Sequence, residues 1–399
     1  MTRPRRICVV TGSRAEYGLL QWIMRHLQDD SSIQLQVLAT GMHLSPEYGN
    51  TWQAIVADGF TIDRKIEMLL SSDTPQAMAK STGIGLMGVA DALHDLAPDL
   101  LLVLGDRFEI LAAATAAALM RVPLAHIHGG EATEGAIDDS LRHAITKLSH
   151  LHFTSTETYR QRVIQMGENP EHVFCYGAPG IDSICSLKLL SREQLEESIA
   201  FKLGGRFLLI TFHPVTLGST PSSSEMAALL DALDGTPADV HLIFTMPNAD
   251  TGGRALTEQI RRFAELHPER AAVFTSLGQL RYLSAMKHCL AVVGNSSSGI
   301  IEAPAFGVGI INIGDRQKGR VQADSVINCA PERGEIARAL DLAFTPEYQE
   351  IAARVTNPYG SAGASEGIAK VTATFPLADL ARKSFHDLLP ARAESFLRL

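Results

Sequence analysis

The sequence predicts an α/β protein of two Rossmann-like, doubly wound domains, and three observations carry that prediction. Short apolar runs alternate with helix-like stretches from end to end. Each run stops at glycine or polar residues at its carboxyl end. The alternation falls into two series, joined near residues 178–205 by APGIDSICSLKLLSREQLEESIAFKLGG. Strand–helix alternation of this kind builds parallel sheets covered on both faces, with ligands beyond the carboxyl ends of the strands.

In the first series RICVVTG is β-branched and ends at Gly12, as a buried parallel strand does, and Leu20, Met24 and Leu27 follow at helical spacing. IQLQVLATG, LLLVLGD, VPLAHIH and LHFTST repeat the pattern, with the alanine-rich EILAAATAAALM among the intervening helices. The second series runs FLLITFHP, VHLIFTMPN, AAVFTS, LAVVGN and GVGIINIGD. The expected division is residues 1–180 and 181–365 as the two domains, with 366–399 as a helical segment packing back on the first.

At 399 residues the chain accommodates two domains of ordinary size, and 46% hydrophobic with 20% charged residues is the composition of a folded protein. A net charge of −9 argues against a broad nucleic-acid surface, so an anionic ligand has to be met by a few placed cations. The cysteines Cys8, Cys175, Cys185, Cys289 and Cys329 are scattered and odd in number, which suits reduced thiols in a cytoplasm better than a zinc ribbon. No run approaches the ~18 apolar residues needed to span a bilayer, and MTRPRRICVV has no long apolar run behind it, so neither a membrane span nor a signal peptide is expected.

The chemistry collects at strand ends. TGSRAEYG lacks the dinucleotide-binding glycine spacing, but Gly12 permits a tight turn and Arg14 enters a helix where backbone N–H groups point at an oxyanion. In LGDRFEI, Asp106 directly follows an apolar run, placing it in a partly desolvated crevice as a base or as the cap of the helix beginning near Phe108. AHIHGGEATEGAIDDSLRH holds His126, His128, Glu131, Asp138, Asp139 and Arg142. Asp138 or Asp139 is expected to cap a helix, and Arg142, one turn on, to orient a carboxylate. The His126-x-His128 spacing allows a metal pair, but no second histidine pair sits at a later strand end, and His126 reads equally as a core residue.

In the second series VVGNSSSGIIEA places Asn295, Ser296 and Ser297 between Gly294 and Gly299, where backbone and hydroxyl donors converge on an anion without a P-loop lysine. Glu302 can accept from ribose hydroxyls and Arg316, in INIGDRQKGR, can neutralise a diphosphate. His213 in TFHPVT and Asn248 in MPN occupy comparable strand ends. A second block that holds a nucleotide diphosphate and a first block rich in acids and bases imply a nucleotide-sugar in the interdomain cleft.

These motifs, with TGMHLSPEYGNT and NPYGSAGASEGI, make the chain resemble the hydrolysing UDP-N-acetylglucosamine 2-epimerases over nearly its whole length. The resemblance implies the glycosyltransferase-B arrangement of two Rossmann-like halves, a homodimer or higher homo-oligomer, and a reaction without metal or nicotinamide. UDP leaves C1 as a proton leaves C2, giving a 2-acetamidoglucal; water then adds to C1 and C2 is reprotonated on the other face. It places Asp106, Asp138 and Asp139 at acid–base positions with Arg142 as their neighbour. Arg14, His213, Asn248, Ser296, Ser297, Glu302 and Arg316 fall at UDP contacts and His43 at a sugar-facing position. One departure stands out: where relatives commonly carry HIEGGE this chain has HIHGGE, so that His128 replaces a glutamate. Either His128 or Glu131 then transfers the proton, or the sugar differs, a 4-acetamido-4,6-dideoxy substrate as in legionaminic-acid routes being the variant the change points to.

Overall fold

A computed structural model describes residues 3–388, except 135, 216–219 and 248–251. Among these residues the strands form two wholly parallel sheets. The first comprises β1 (Arg5–Thr11), β2 (Ile33–Thr40), β3 (Arg64–Ile66), β4 (Leu100–Leu104), β5 (Leu124–Ile127), β6 (Leu151–Thr154) and β7 (Val173–Cys175), in the order β3-β2-β1-β4-β5-β6-β7. The second comprises β8 (Arg206–Thr211), β9 (Val240–Thr245), β10 (Ala271–Phe274), β11 (Ala291–Gly294), β12 (Gly309–Ile313) and β13 (Val326–Cys329), in the order β10-β9-β8-β11-β12-β13. Every run picked out by apolar pattern is a strand. The pattern did not show β3, β7 and β13, which are short strands at sheet edges.

Both faces of each sheet are covered, which is why the strands read as continuous apolar runs rather than alternating ones. Ile7 and Val9 pack with Leu20, Ile23 and Met24 of the helix Arg14–Asp29. Their neighbours Cys8 and Val10 point the other way, against Val89 of the helix Pro75–Leu96 and Ala113 and Ala117 of Phe108–Leu119. The second sheet does the same, with Leu208 and Ile210 on one side and Phe207 and Leu209 on the other. Winding reverses between β1 and β4 and again between β8 and β11, the crevices where such sheets accept ligands. Gly294 ends β11 with φ +135°, and any Cβ there would collide with the Thr211 carbonyl oxygen.

The chain then returns to the first domain. Asp182 accepts from the backbone N–H groups of Gly363 and Ser365, the latter at 2.6 Å, and so holds the start of the helix Ala364–Thr374. Ile368 and Ala369 of that helix join the cluster around Ile7 and Val9. Further on, Lys383 reaches the buried Glu168 at 2.6 Å, where Lys147 at 2.5 Å and His152 at 2.9 Å also converge.

Burial works to raise the Glu168 carboxyl, but His152, Lys147 and Lys383 outweigh it and pull it down to about 2. Its folded-state proton affinity is therefore depressed, so its stabilisation is present above the unfolded value near 4.3 and fades as pH falls towards about 2. Glu168→Gln is expected to cost about 3–5 kcal/mol at pH 7, the range for breaking a buried charged cluster. In urea melts run against pH, the gap between the two proteins should narrow below about pH 4.

Candidate active site

The two reversal points open on one cleft of about 320 Å³ between the domains, with residues of both series in its walls. On the first side, β4 ends at Gly105 (φ +85°), which turns the chain so that Asp106 lines the cleft. Beneath this turn His126, wholly buried, donates from Nε2 to the Gly105 carbonyl at 2.7 Å, and its Nδ1 lies 3.2 Å from Thr146 Oγ1. Burial pushes its pKa down to about 3, so it is a neutral core histidine that braces the Asp106 turn. No group of three or more metal-ligating side chains converges among the described residues. The helix after Asp106 takes Arg107 as its N-cap without a side-chain bond, so Asp106 does not serve as the cap.

The loop after β5 is organised around Arg142. This guanidinium is buried and pairs with Asp106; it also donates to the Glu131 carbonyl at 3.0 Å and to Thr133 Oγ1 at 2.9 Å. Asp138 and Asp139 begin the helix Asp138–Leu148, but the N-cap is Ile137, with no side-chain capping bond. The two aspartates also separate. Asp138 lines the cleft, whereas Asp139 accepts from the Thr133 N–H at 2.7 Å and lies 3.7 Å from Arg142, tying the loop to the helix. Asp139, the other acid–base candidate, anchors the loop through these contacts.

His128 lines the cleft from a left-handed backbone (φ +68°). Its Nδ1–H donates to Glu131 Oε1 at 2.6 Å, while Nε2 is buried without a hydrogen-bond partner. Glu131 accepts in addition from Ser155 Oγ at 2.7 Å and pairs through Oε2 with Arg320 of the second domain. Burial alone would raise the Glu131 carboxyl, but Arg320 and His128 hold it well below the carboxylate range, so it stays ionised.

The opposite wall is built on Asn295. Its buried amide accepts from the His213 N–H at 2.7 Å and donates to the His213 carbonyl at 2.8 Å, clamping the ends of β8 and β11 together. Its carbonyl takes Arg316 at 3.2 Å and Gln317 at 2.8 Å, which brings in the turn after β12. Ser296, Ser297, Ser298, Glu302, His213 and Arg316 line the cleft. Glu302 accepts from Ser298 Oγ, and its carboxyl is raised by burial. Arg14, at the start of its helix, lines the cleft and lies 5.9 Å over the Tyr17 ring; burial lowers its proton affinity.

Three expected ligand contacts brace the cleft wall from behind, and one lies outside the described residues. His43 is wholly buried and away from the cleft wall, its Nε2 2.9 Å from Thr11 Oγ1 and its Nδ1 2.8 Å from Thr51 Oγ1. Burial, then Arg14, pushes its pKa down to about 3, so it is a neutral strut behind Thr51, which does reach the cleft. Asn295 is the clamp just described, and Gly294 is the close approach that lets β11 lie against Thr211. Asn248 falls among 248–251 and is not described. Pattern alone missed Arg320 and Gln317, although INIGDRQKGR pairs two arginines four residues apart. It also missed the wall formed by 275–279, where Gln279 donates to the Gly18 carbonyl and to Ser183 Oγ, the latter at 2.8 Å.

Residues 25–373 match the family of UDP-N-acetylglucosamine 2-epimerases. The chain belongs to that family. It is 41% identical over 346 residues to the GDP/UDP-N,N'-diacetylbacillosamine 2-epimerase (hydrolyzing) of Campylobacter jejuni, covering 87% of this chain and 89% of that one. It is 36% identical over 374 residues to the UDP-N,N'-diacetylbacillosamine 2-epimerase (hydrolyzing) of Legionella pneumophila, covering 94% and 97%. Its fold is that of the UDP-GlcNAc 2-epimerase of Neisseria meningitidis crystallised with UDP-GlcNAc: TM-score 0.79, 20% identity, 92% of this chain and 99% of that one.

Within this 2-epimerase cleft, supports and ligand-facing groups separate experimentally. Asn295→Ala strands the buried N–H and carbonyl of His213 and is expected to cost about 2–5 kcal/mol. Ser297→Ala, on the cleft surface, is expected to stay within about 0.5 kcal/mol of the parent. Urea unfolding of both variants checks the division.

Proposed function

We propose that the protein is a hydrolysing UDP-sugar 2-epimerase whose substrate is UDP-N,N'-diacetylbacillosamine, the 4-acetamido-4,6-dideoxy relative of UDP-N-acetylglucosamine. The observation that carries the reading is the composition of one cleft. Arg14, Arg316 and Ser296–Ser298 at the start of the helix Ser297–Glu302 stand on its walls together with Asp106, His128 and Asp138. The C2 proton of a nucleotide-sugar is only weakly acidic, and a lone carboxylate removes it poorly. It becomes removable once C1–O cleavage has begun and C1 takes on oxocarbenium character. The arginines stabilise the departing diphosphate in a low-dielectric site.

Asp106, pinned by Arg142, is the base in this scheme, and Asp138 and His128 are the further groups that inversion requires. The electron pair of the broken C2–H bond forms the C1=C2 double bond, and the C1–O pair leaves with UDP. Water then adds to C1 while a proton is delivered to the other face of C2. The product is the free 2-epimeric sugar, of the kind consumed in sialic- and legionaminic-acid synthesis. The 41% and 36% identity to the two diacetylbacillosamine epimerases supports the choice of sugar. The unpaired state of all five cysteines supports a reducing, cytoplasmic setting.

The test is product identification by NMR in D₂O, with the protein given UDP-N,N'-diacetylbacillosamine, its GDP counterpart or UDP-N-acetylglucosamine. The expected result is UDP plus the free 2-epimer carrying one deuterium at C2, without any acceptor. UDP release only on adding an acceptor, or release with C2 unchanged, overturns the reading and favours a glycosyltransferase. Asp106→Asn is expected to lower kcat by about 10²–10⁴ with little change in KM. Arg316→Ala is expected to weaken UDP binding, measured by calorimetry, as well as turnover.

A further inference from the structure

A histidine that works as a proton-transfer group needs its tautomer fixed and its free nitrogen aimed, and the second shell usually does both. His128 meets that description through residues the proposed mechanism has not used. Glu131 takes the Nδ1–H, which leaves the lone pair on Nε2, the buried nitrogen without a partner on a ring that lines the cleft. Glu131 has no free oxygen with which to act on substrate, since Oε1 accepts from His128 and Ser155 and Oε2 is held by Arg320. Arg320 comes from the other domain, on the turn whose Arg316 and Gln317 grip the Asn295 carbonyl. The far end of that turn is also fastened to the first domain, the Val321 N–H donating to Tyr159 Oη at 2.8 Å, while Tyr359 Oη of its own domain donates to the Val321 carbonyl at 2.8 Å. The Glu134 N–H donates to the Lys318 carbonyl between them.

We propose that Glu131 and Arg320 are positioning residues, and that the Arg320–Glu131 pair, delivered by the 315–321 turn, sets the His128 ring so that Nε2 exchanges a proton with C2. The assignment rests on the epimerase reading. It makes the nucleotide-binding wall the agent that readies the proton-transfer group: seating the turn places Arg316 at the diphosphate and Arg320 on Glu131 together. With Asp106 as the base of the elimination, the imidazole serves the hydration: Nε2, having taken up a proton, gives it to the opposite face of C2, where the C1=C2 electron pair forms the new C2–H bond as water adds to C1 and releases a proton. The charged and titratable groups around the ring are Glu131 and Arg320 beside it, His126 two residues earlier, Glu302 on the other wall and Arg142 on the adjacent helix.

The test uses Glu131→Gln, Arg320→Met, the milder Arg320→Lys, and His128→Gln. Glu131→Gln and Arg320→Met are expected to lower kcat about 10–100-fold, the usual cost of a lost second-shell partner, with KM within about threefold. Arg320→Lys should recover part of the loss. A second readout is independent of turnover and of the sugar: ¹⁵N NMR of histidine-labelled full-length protein, with His128→Gln giving the assignment. The His128 ring should be the Nδ1–H tautomer in the parent and a mixture in Glu131→Gln and Arg320→Met. Unchanged kcat, loss confined to KM, or an unchanged tautomer overturns the proposal. Absence of turnover in the parent defeats the epimerase reading instead, and the NMR result still stands on its own.

Discussion

Burying the Arg142 guanidinium constrains the first-domain side of the cleft more than any other single feature. With 1% of its side chain exposed it has lost its water, and a buried cation left unpaired costs several kcal/mol. The loop from Glu131 to Asp139 is shaped by supplying the missing acceptors. The Glu131 carbonyl and Thr133 Oγ1 point inward to the guanidinium, Asp106 meets it from the neighbouring strand end, and Asp139 closes the loop through the Thr133 N–H. Four carboxylates within a short span of chain would otherwise repel one another and open the loop to water. Arg142 lets Asp106 and Asp138 share one wall of the cleft.

The same electrostatics explains how an anion is accommodated by a chain of net charge −9. Arg14, Arg142, Arg316 and Arg320 all line this cleft, although the protein as a whole repels anions. Two of them are balanced within the protein, Arg142 by Asp106 and Arg320 by Glu131. Burial lowers the proton affinity of Arg14, which also lines the cleft. Pre-set charges of this kind act on a leaving group without reorganising as it departs.

The sheets were legible because parallel strands buried on both faces leave continuous apolar runs such as LLLVL in β4, and the strand ends followed from them. The edge strands RKI, VFC and VINC were not, because an edge strand of three or four residues needs no apolar run to pair. Asp106, His128, Arg14, Ser296–Ser298 and Arg316 stood out in sequence and do line the cleft. Other residues of the right chemical type in the same motifs are buried away from the cleft surface. His43 and Asn295 sit one layer behind the surface, and nothing in GMHL or GNSSS distinguishes a side chain that touches a ligand from one that braces its neighbour. Arg320 went unseen for the opposite reason: its partner, Glu131, lies 189 residues away, and its importance is a property of the pair.

The two histidines of HIHGG show how little separates those outcomes. They are two residues apart at the end of one strand, where alternation alone would put both on the same face. His126 is still within β5 and points into the core, both ring nitrogens spent. His128 still pairs through its N–H with the Phe153 carbonyl, but its φ has swung to +68°, and the ring turns out of the sheet toward the cleft. A non-glycine residue held in that conformation costs on the order of 1 kcal/mol or more and persists only where its surroundings impose it. Here the imposition has an identifiable source. Gly130, also left-handed, lies so close to the Tyr159 carbonyl that no side chain fits, which forces the loop down against that helix, and Glu131 then reaches back to seize the His128 ring. Tyr159 in turn is bonded to the Val321 N–H of the opposite domain, so the strain at His128 and the closeness of the two walls have a common support. The His128 imidazole is therefore held by its surroundings, with the glycine, the glutamate and the opposite domain's arginine arranged around it.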